Sequence, residues 1–235
     1  MSASDIQFAV SPVVYANCPY DFDRDFVPVA PLARITNVIV ATKSLPANNL
    51  RDLIALAKAE PGKITYASTG VGSTHQLFME LLKMRGGFDL VHVPYKGTGE
   101  ATPDLIGGQV QVMFFGVTQA LTQLKAGQLK ILAVGSPQRL KELPDVPTIA
   151  ESGFPGFTST NFWGVLAPAG TPEAIVTSFR AAIAEALADP DVRAWYELSA
   201  LTTMDGGVDQ MVKETHEEST TWPDVIKAAN IKLIE

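Results

Sequence analysis

The chain has 235 residues, 46% of them hydrophobic and 18% charged, with 18 Lys and Arg against 25 Asp and Glu for a formal net charge of −7. This is a globular composition with ample material for a buried core, and it excludes a disordered tail. A pI near 5.0 without a basic cluster removes the electrostatic footprint of nucleic-acid binding, and an anionic ligand would need local donors in place of a long-range field.

One cysteine, Cys18, permits no intrachain disulfide, and with three histidines it leaves little for a soft-metal site, so neither a metal nor a cofactor is expected. The longest apolar runs, Asn37 to Ala41 and Lys130 to Val134, fall far short of the roughly 18 to 20 residues of a membrane span, so no direct membrane insertion is expected. The opening Met1-Ser-Ala-Ser-Asp5 has neither the charged nor the apolar region of a secretory signal. A chain that truly starts at Met1 would therefore stay cytoplasmic; otherwise its beginning is absent.

Strand, turn and helix then recur in order. Asn37 to Ala41 is β-branched and apolar; Pro46 and Asn48-Asn49 introduce Leu50, Leu53, Ile54 and Ala57 at helical spacing, closed by Pro61-Gly62. Ile64 to Ala67 reads as a strand, and after a glycine-rich turn Leu77, Phe78, Leu81 and Leu82 mark a helix. Leu90 to Val93 and Val110 to Phe114 are strands around a short helix, Ala101 to Ile106. Val117 to Ala126 is helical, and Ile131 to Val134 is a further strand. This alternation argues for a mostly parallel sheet. The Pro- and Gly-rich stretch 137–156 reads as an irregular domain crossing. Phe162 to Leu166 is a strand, after which Thr171 can cap a helix with Pro172 at its first position. That helix carries the stripe Ile175, Val176, Phe179, Ile183, Ala186 and Leu187. A shorter piece holds Val192, Trp195 and Tyr196, and a last long helix presents Val208, Met211, Val212, Thr215, Trp222 and Ile226. These helices should dock on a sheet, yet few strands remain to supply one, so the N-terminal segment or absent residues must contribute.

Ser68-Thr-Gly-Val-Gly-Ser-Thr-His75 lies between a strand and a helix. Its glycines let the backbone turn sharply with N–H groups outward, and Ser68, Ser73 and Thr74 add hydroxyls at a helix N-terminus, which describes an anion cradle. An ordinary capped strand-to-helix turn fits the same residues. His75 stands where a dinucleotide fingerprint needs its third glycine, and no Gly-Lys-Ser/Thr follows. Tyr95-Lys-Gly-Thr-Gly-Glu100 occupies the same place in the next unit, so both loops should emerge on the strand C-terminal edge, where open α/β sheets bind ligands; a solvated Lys96 beside a half-buried Tyr95 is the plainer reading. Phe115-Gly-Val-Thr118 follows another strand and reads as a third candidate or as a simple turn. No nucleophile elbow or metalloprotease motif is present. His75 could polarise Ser73 but lacks an orienting acid, His92 reads as a core histidine, and His216 reads as solvated.

The succession Tyr66 to His75, Val91-His-Val-Pro-Tyr-Lys-Gly97, Gly107-Gly-Gln-Val-Gln-Val-Met-Phe114, Leu143-Pro-Asp-Val-Pro-Thr148 and Gly164-Val-Leu-Ala-Pro-Ala-Gly-Thr-Pro172 closely resembles the Bug (TctC-like) solute-binding proteins of tripartite tricarboxylate transporters. The resemblance implies a type II-like periplasmic-binding-protein fold, a two-domain α/β flytrap that closes around a carboxylated solute and delivers it to membrane permease subunits. It implies residues 1–41 and 166–235 as one partial domain, lacking the family's first strand, ligand loop and helix, with 42–165 as a complete one. It also implies a non-enzymatic periplasmic protein taking a di- or tricarboxylate, an aromatic acid or an acidic amino acid. The ligand residues it points to are Ser68, Thr69, Gly70, Gly72, Ser73 and Thr74, with Tyr95, Lys96 and Gly97, and Phe115 and Gly116. Family members often carry an acid at this last place, so its absence would disfavour ligands with an amino group. Two rivals are a sensory or interaction remnant that no longer binds solute and a small hydrolase using Ser73 and His75.

Overall fold

The computed structural model describes residues 1–231; positions 232–235 of the expected C-terminal segment lie outside the described residues. The chain forms two compact units, one of Met1–Ile35 with the chain from Asn161 onward and the other of Thr36–Thr160. In chain order the elements are β1 (Ser2–Ser4), a π-helical turn Ile6–Val10, α1 (Ser11–Val14), α2 (Phe22–Asp25) and β2 (Phe26–Thr42). Next come α3 (Leu50–Ala59), β3 (Thr65–Ser68), α4 (Thr74–Gly86), β4 (Val91–Pro94), α5 (Thr98–Gly107), β5 (Val112–Gly116), α6 (Val117–Lys125) and β6 (Leu129–Val134). The chain continues through β7 (Thr160–Pro168), α7 (Glu173–Ala188), α8 (Pro190–Leu198), β8 (Leu201–Thr202) and α9 (Gly207–Ala228).

In the unit Thr36–Thr160, β3 pairs in parallel with β4 on one side and β5 on the other, as strand-helix-strand crossovers require. The second half of β2 lies between β5 and β6, antiparallel to both. Four of the five strands thus run the same way, as the alternation predicts, and β2 alone runs against them. The reason is that β5 and β6, joined by α6, leave a slot that β2 fills in the opposite direction. Val38, Ile39, Val40 and Ala41 are fully buried there, which is why this run is continuously apolar. Each helix buries an apolar face on the sheet: Leu50, Leu53 and Ala57 of α3, and Leu77, Phe78, Met79, Leu81 and Leu82 of α4.

The stretch 137–156 stays within this unit and does not carry the chain across. Its Pro147 O accepts from Val134 N, and Ile149 N donates to Val134 O, so it runs beside the end of β6. Gly135 sits between Asn37 and Ser159, donating to the first and accepting from the second, both at 2.9 Å. A Cβ there would lie 2.6 Å from Asn37 O.

In the other unit β7 pairs with β1 and neighbours β2, whose Arg34 and Ile35 pair with β8. Phe8, Phe22, Phe162, Leu166, Met204 and Met211 form one small core cluster, and Val29, Ala30 and Val176 another. The fully buried Asp5 carboxylate accepts from Phe162 N at 3.1 Å and Asn161 Nδ2 at 3.2 Å. The C-terminal helices find their sheet in β7 and the first half of β2, with Arg180 donating to the carbonyls of Pro28 and Val29. The apolar stripe expected of α7 is only partly used. Val176 is buried and Ile183 packs beside it, while Ile175 is 49% and Phe179 58% exposed. On α8, Trp195 and Leu198 are exposed and nothing is buried. All three tryptophans, Trp163, Trp195 and Trp222, belong to this unit, and of them only Trp222 is buried. Among the described residues no helix is long and apolar enough to cross a membrane.

Candidate functional site

Because β4, β3 and β5 are neighbours running the same way, the loops after them leave one edge of the sheet. Ser68, the last residue of β3, registers against Pro94, and Tyr95 N extends that ladder by donating to Ser68 O at 3.0 Å. Gly70 has φ +122°, and a Cβ on it would stand 3.7 Å from Tyr95 O, so the first loop runs directly beside the second. Gly72 is also left-handed, at φ +76°; the two glycines supply the reversal that an L side chain would strain.

The loop is extensively bonded to itself. Ser68 Oγ donates to Gly70 O at 3.0 Å and accepts from Gly70 N at 3.2 Å. Ser73 is the N-cap of α4: its Oγ donates to Gly70 O at 2.7 Å and accepts from Gln76 N at 3.4 Å. Gln76 Oε1 accepts from Gly72 N at 2.7 Å. His92 of β4 reaches in from the neighbouring strand, with Nε2 2.7 Å from Ser68 Oγ and Nδ1 3.2 Å from Gln76 Nε2, and its ring stacks on Tyr66 at 4.9 Å. With Gln76 N capped by Ser73 Oγ and Leu77 N bonded to Ser73 O, the amides of Thr74 and His75 open α4 without an acceptor among the described residues. They stand at the positive end of a 13-residue helix, where an anion is stabilised.

Around this edge, Tyr95 donates its hydroxyl to Asp104 at 2.8 Å, and burial with the Asp104 bond pushes the phenol up to about 12. Lys96 is exposed, its backbone N donating to Glu100; Gly97 caps α5 and Gly116 caps α6. Ser68 and Thr74 are buried, as is Phe115, whose side chain belongs to the core. The first two loops are thus in contact, and Gly116 ends the strand on the other side of β3.

Ser73 and His75 do not form a nucleophile pair. Ser73 Oγ is committed to the loop, and His75 Nδ1 lies 3.0 Å from Thr69 Oγ1. Burial brings the His75 imidazole down to about 4, so it is neutral near pH 7. Among the described residues no group of His, Cys, Asp and Glu side chains is placed to hold a metal ion. His216, exposed as expected, pairs with Asp23 at 2.9 Å. The sequence reading passes over Gln76 and treats His92 as core. The spacing Ser73-x-x-Gln76 matches a capping box, which brings the third helical side chain back toward the cap; here it reaches one residue further, to Gly72.

Residues 1–231 match the family described as tripartite tricarboxylate transporter family receptor. The chain is 36% identical over 213 residues to a UPF0065 protein of the tcbD-tcbE intergenic region of Pseudomonas sp. strain P51, which covers 90% of this chain and 63% of that one. It is 32% identical to protein BugT of Bordetella pertussis, over 99% of this chain and 72% of BugT. Among solved structures it is similar to R. palustris Rpa4515 with adipate, at 33% identity and TM-score 0.86, covering 98% of this chain and 77% of that one. MatC (Rpa3494) of Rhodopseudomonas palustris with bound malate superposes with TM-score 0.81 at 29% identity, over 96% of this chain and 78% of MatC. The structure of periplasmic binding protein BugD gives 0.83 at 29% identity, over 98% of this chain and 78% of BugD. The chain spans about two thirds to three quarters of the length of these relatives.

Proposed function

Since the chain belongs to the receptor family of tripartite tricarboxylate transporters, we propose that it captures a small dicarboxylate in the periplasm for delivery to the transporter's permease subunits. One carboxylate of the ligand accepts hydrogen bonds from the opening amides of α4, with the Ser68–Thr74 loop, Tyr95–Gly97 and Gly116 forming the surrounding surface. Lys96 contributes positive charge at the same edge. The observation that carries this reading is the meeting of the first two loops at the start of a long helix. That arrangement supplies local donors to an anion in a chain whose net charge is −7. Adipate and malate in the similar structures support a dicarboxylate over the wider range of acids. Each charge-assisted hydrogen bond contributes about 1.5–3 kcal/mol, enough together for binding without any bond chemistry.

The test is titration calorimetry with adipate, malate, citrate, benzoate and aspartate, alongside thermal unfolding. A dicarboxylate is expected to bind and raise the unfolding midpoint, with about 2.7 kcal/mol of added stability at a hundredfold excess over its Kd. Silence across all five acids overturns the reading.

A further inference from the structure

The loop and the neighbouring strand are joined by hydrogen bonds whose directions are all fixed by one backbone amide. Gly72 N–H can only donate, so the Gln76 atom 2.7 Å from it is the carbonyl Oε1. The other end of that amide, Nε2, is a donor, and it faces His92 Nδ1 at 3.2 Å, so Nδ1 is the bare nitrogen. A neutral imidazole then carries its proton on Nε2 and donates to Ser68 Oγ at 2.7 Å. Ser68 Oγ in turn donates its hydrogen bond to Gly70 O at 3.0 Å. Burial, with the Lys83 charge assisting and Glu80 opposing, keeps the His92 pKa below its ordinary value, so there is a single proton to place. Both ends of the relay rest on the same loop, at Gly70 and at Gly72.

We propose that His92 is a positioning residue for the carboxylate site, a clamp that closes the Ser68–Gly72 loop by holding Ser68 with its Nε2–H and Gln76 with its bare Nδ1. Through Ser68 it fixes Gly70, and through Gln76 it fixes Gly72, whose amide immediately precedes the N-cap of α4. The polarity is the reverse of a nucleophile–base pair, in which Nε2 must accept from the serine, so the short Ser68–His92 contact is structural organisation of the loop. The affinity part of the proposal rests on the carboxylate reading above; the loop-closing part does not.

Nitrogen NMR of the imidazole reads the tautomer directly. The expected state is Nε2–H with bare Nδ1, and Gln76→Glu should invert it, since a carboxylate still accepts from Gly72 N–H but offers His92 no donor. An Nδ1–H tautomer in the unsubstituted protein overturns the proposal. His92→Phe keeps a ring on Tyr66 and removes both bonds; it should speed hydrogen exchange at Gly72 by about tenfold or more and weaken adipate or malate binding by a similar factor. His92→Asn, which returns an acceptor near the Nδ1 position, should restore much of the Gly72 protection. Unchanged Gly72 exchange in His92→Phe overturns the clamp, and fast exchange with undiminished affinity overturns its role in positioning the carboxylate site. Should His92→Phe fail to fold, the tautomer of the unsubstituted protein and its inversion in Gln76→Glu decide the proposal. Failure of the unsubstituted protein to bind any of the acids counts against the carboxylate reading alone, and the tautomer and exchange results still decide the clamp.

Discussion

The two units treat the same kind of helix differently. In Thr36–Thr160 the apolar faces of α3 and α4 are buried to within a few per cent against a five-stranded arrangement of β4, β3, β5, β2 and β6. In the other unit α7 has a comparably clear stripe, yet Ile175 and Phe179 face outward and only Val176 is buried. Periodicity states what a helix needs to cover; burial depends on whether a partner surface of the right width is there. One unit closes over these helix faces; the other buries Phe8, Phe162, Met211, Trp222 and Ile226 yet leaves apolar side chains of α7 and α8 exposed.

The sharpest test of that contrast is a pair of truncations. Phe114→Ala, in the closed core, should cost about 3–5 kcal/mol, whereas Phe179→Ala should stay within about 0.5 kcal/mol. Chemical unfolding followed by circular dichroism and residue-resolved exchange measures both, and equal costs would erase the distinction. Gly135→Ala should come next at about 1–3 kcal/mol, because its Cβ meets backbone at Asn37 that the paired strand cannot yield.

Helix caps separate stability from binding. Ser73→Ala and Asp189→Ala each remove an N-cap acceptor and should each cost about 1 kcal/mol. Calorimetry should show dicarboxylate affinity falling only for Ser73→Ala. Acidification should act on the two units with opposite sign. His75, depressed to about 4 from an ordinary 6.5, contributes stability that is complete above pH 6.5 and is lost as pH falls toward 4. Glu218 is raised well above 4.5 by burial and by Asp5 and Glu214, so its contribution is complete below 4.5 and is lost as pH rises through its folded pKa. Exchange protection, corrected for intrinsic rates, should therefore decline in Thr36–Thr160 and be partly sustained in the other unit as pH falls from 6.5 to 4. The smallest effect concerns ligand choice: since neither Gly116 nor the buried Phe115 offers a carboxylate to pair an ammonium group, aspartate should bind more weakly than its deaminated analogue succinate. Equal or tighter binding of aspartate would remove that determinant.

Much of this architecture is written locally. Val38 to Ala41 reads as a strand because both its faces are covered, and the Gly70 and Gly72 loop is visible because few other residues tolerate those φ values. What the sequence hides is long-range. β2 begins at Phe26, but Pro28 and Pro31 break the strand pattern there. The antiparallel entry of β2 depends on a slot made by segments some 70 to 95 residues away. His92 looks like core until β4 is registered against β3, which sets it beside Tyr66 and within reach of Ser68 and Gln76. Thr69, Ser73 and Thr74 are legible as hydroxyls near a helix start; which of them the loop itself consumes is decided by packing.

The placement of the tryptophans has a practical corollary. The unit that carries the proposed ligand loops contains no indole, so an acid seated there has tyrosine but no tryptophan beside it in that unit, while calorimetry registers its heat regardless. Indole emission that tracks the calorimetric isotherm would mean that the unit holding Trp163, Trp195 and Trp222 senses the ligand; heat without any emission change would mean that it does not. Two routine titrations of the same sample thus report whether the halves of this chain communicate.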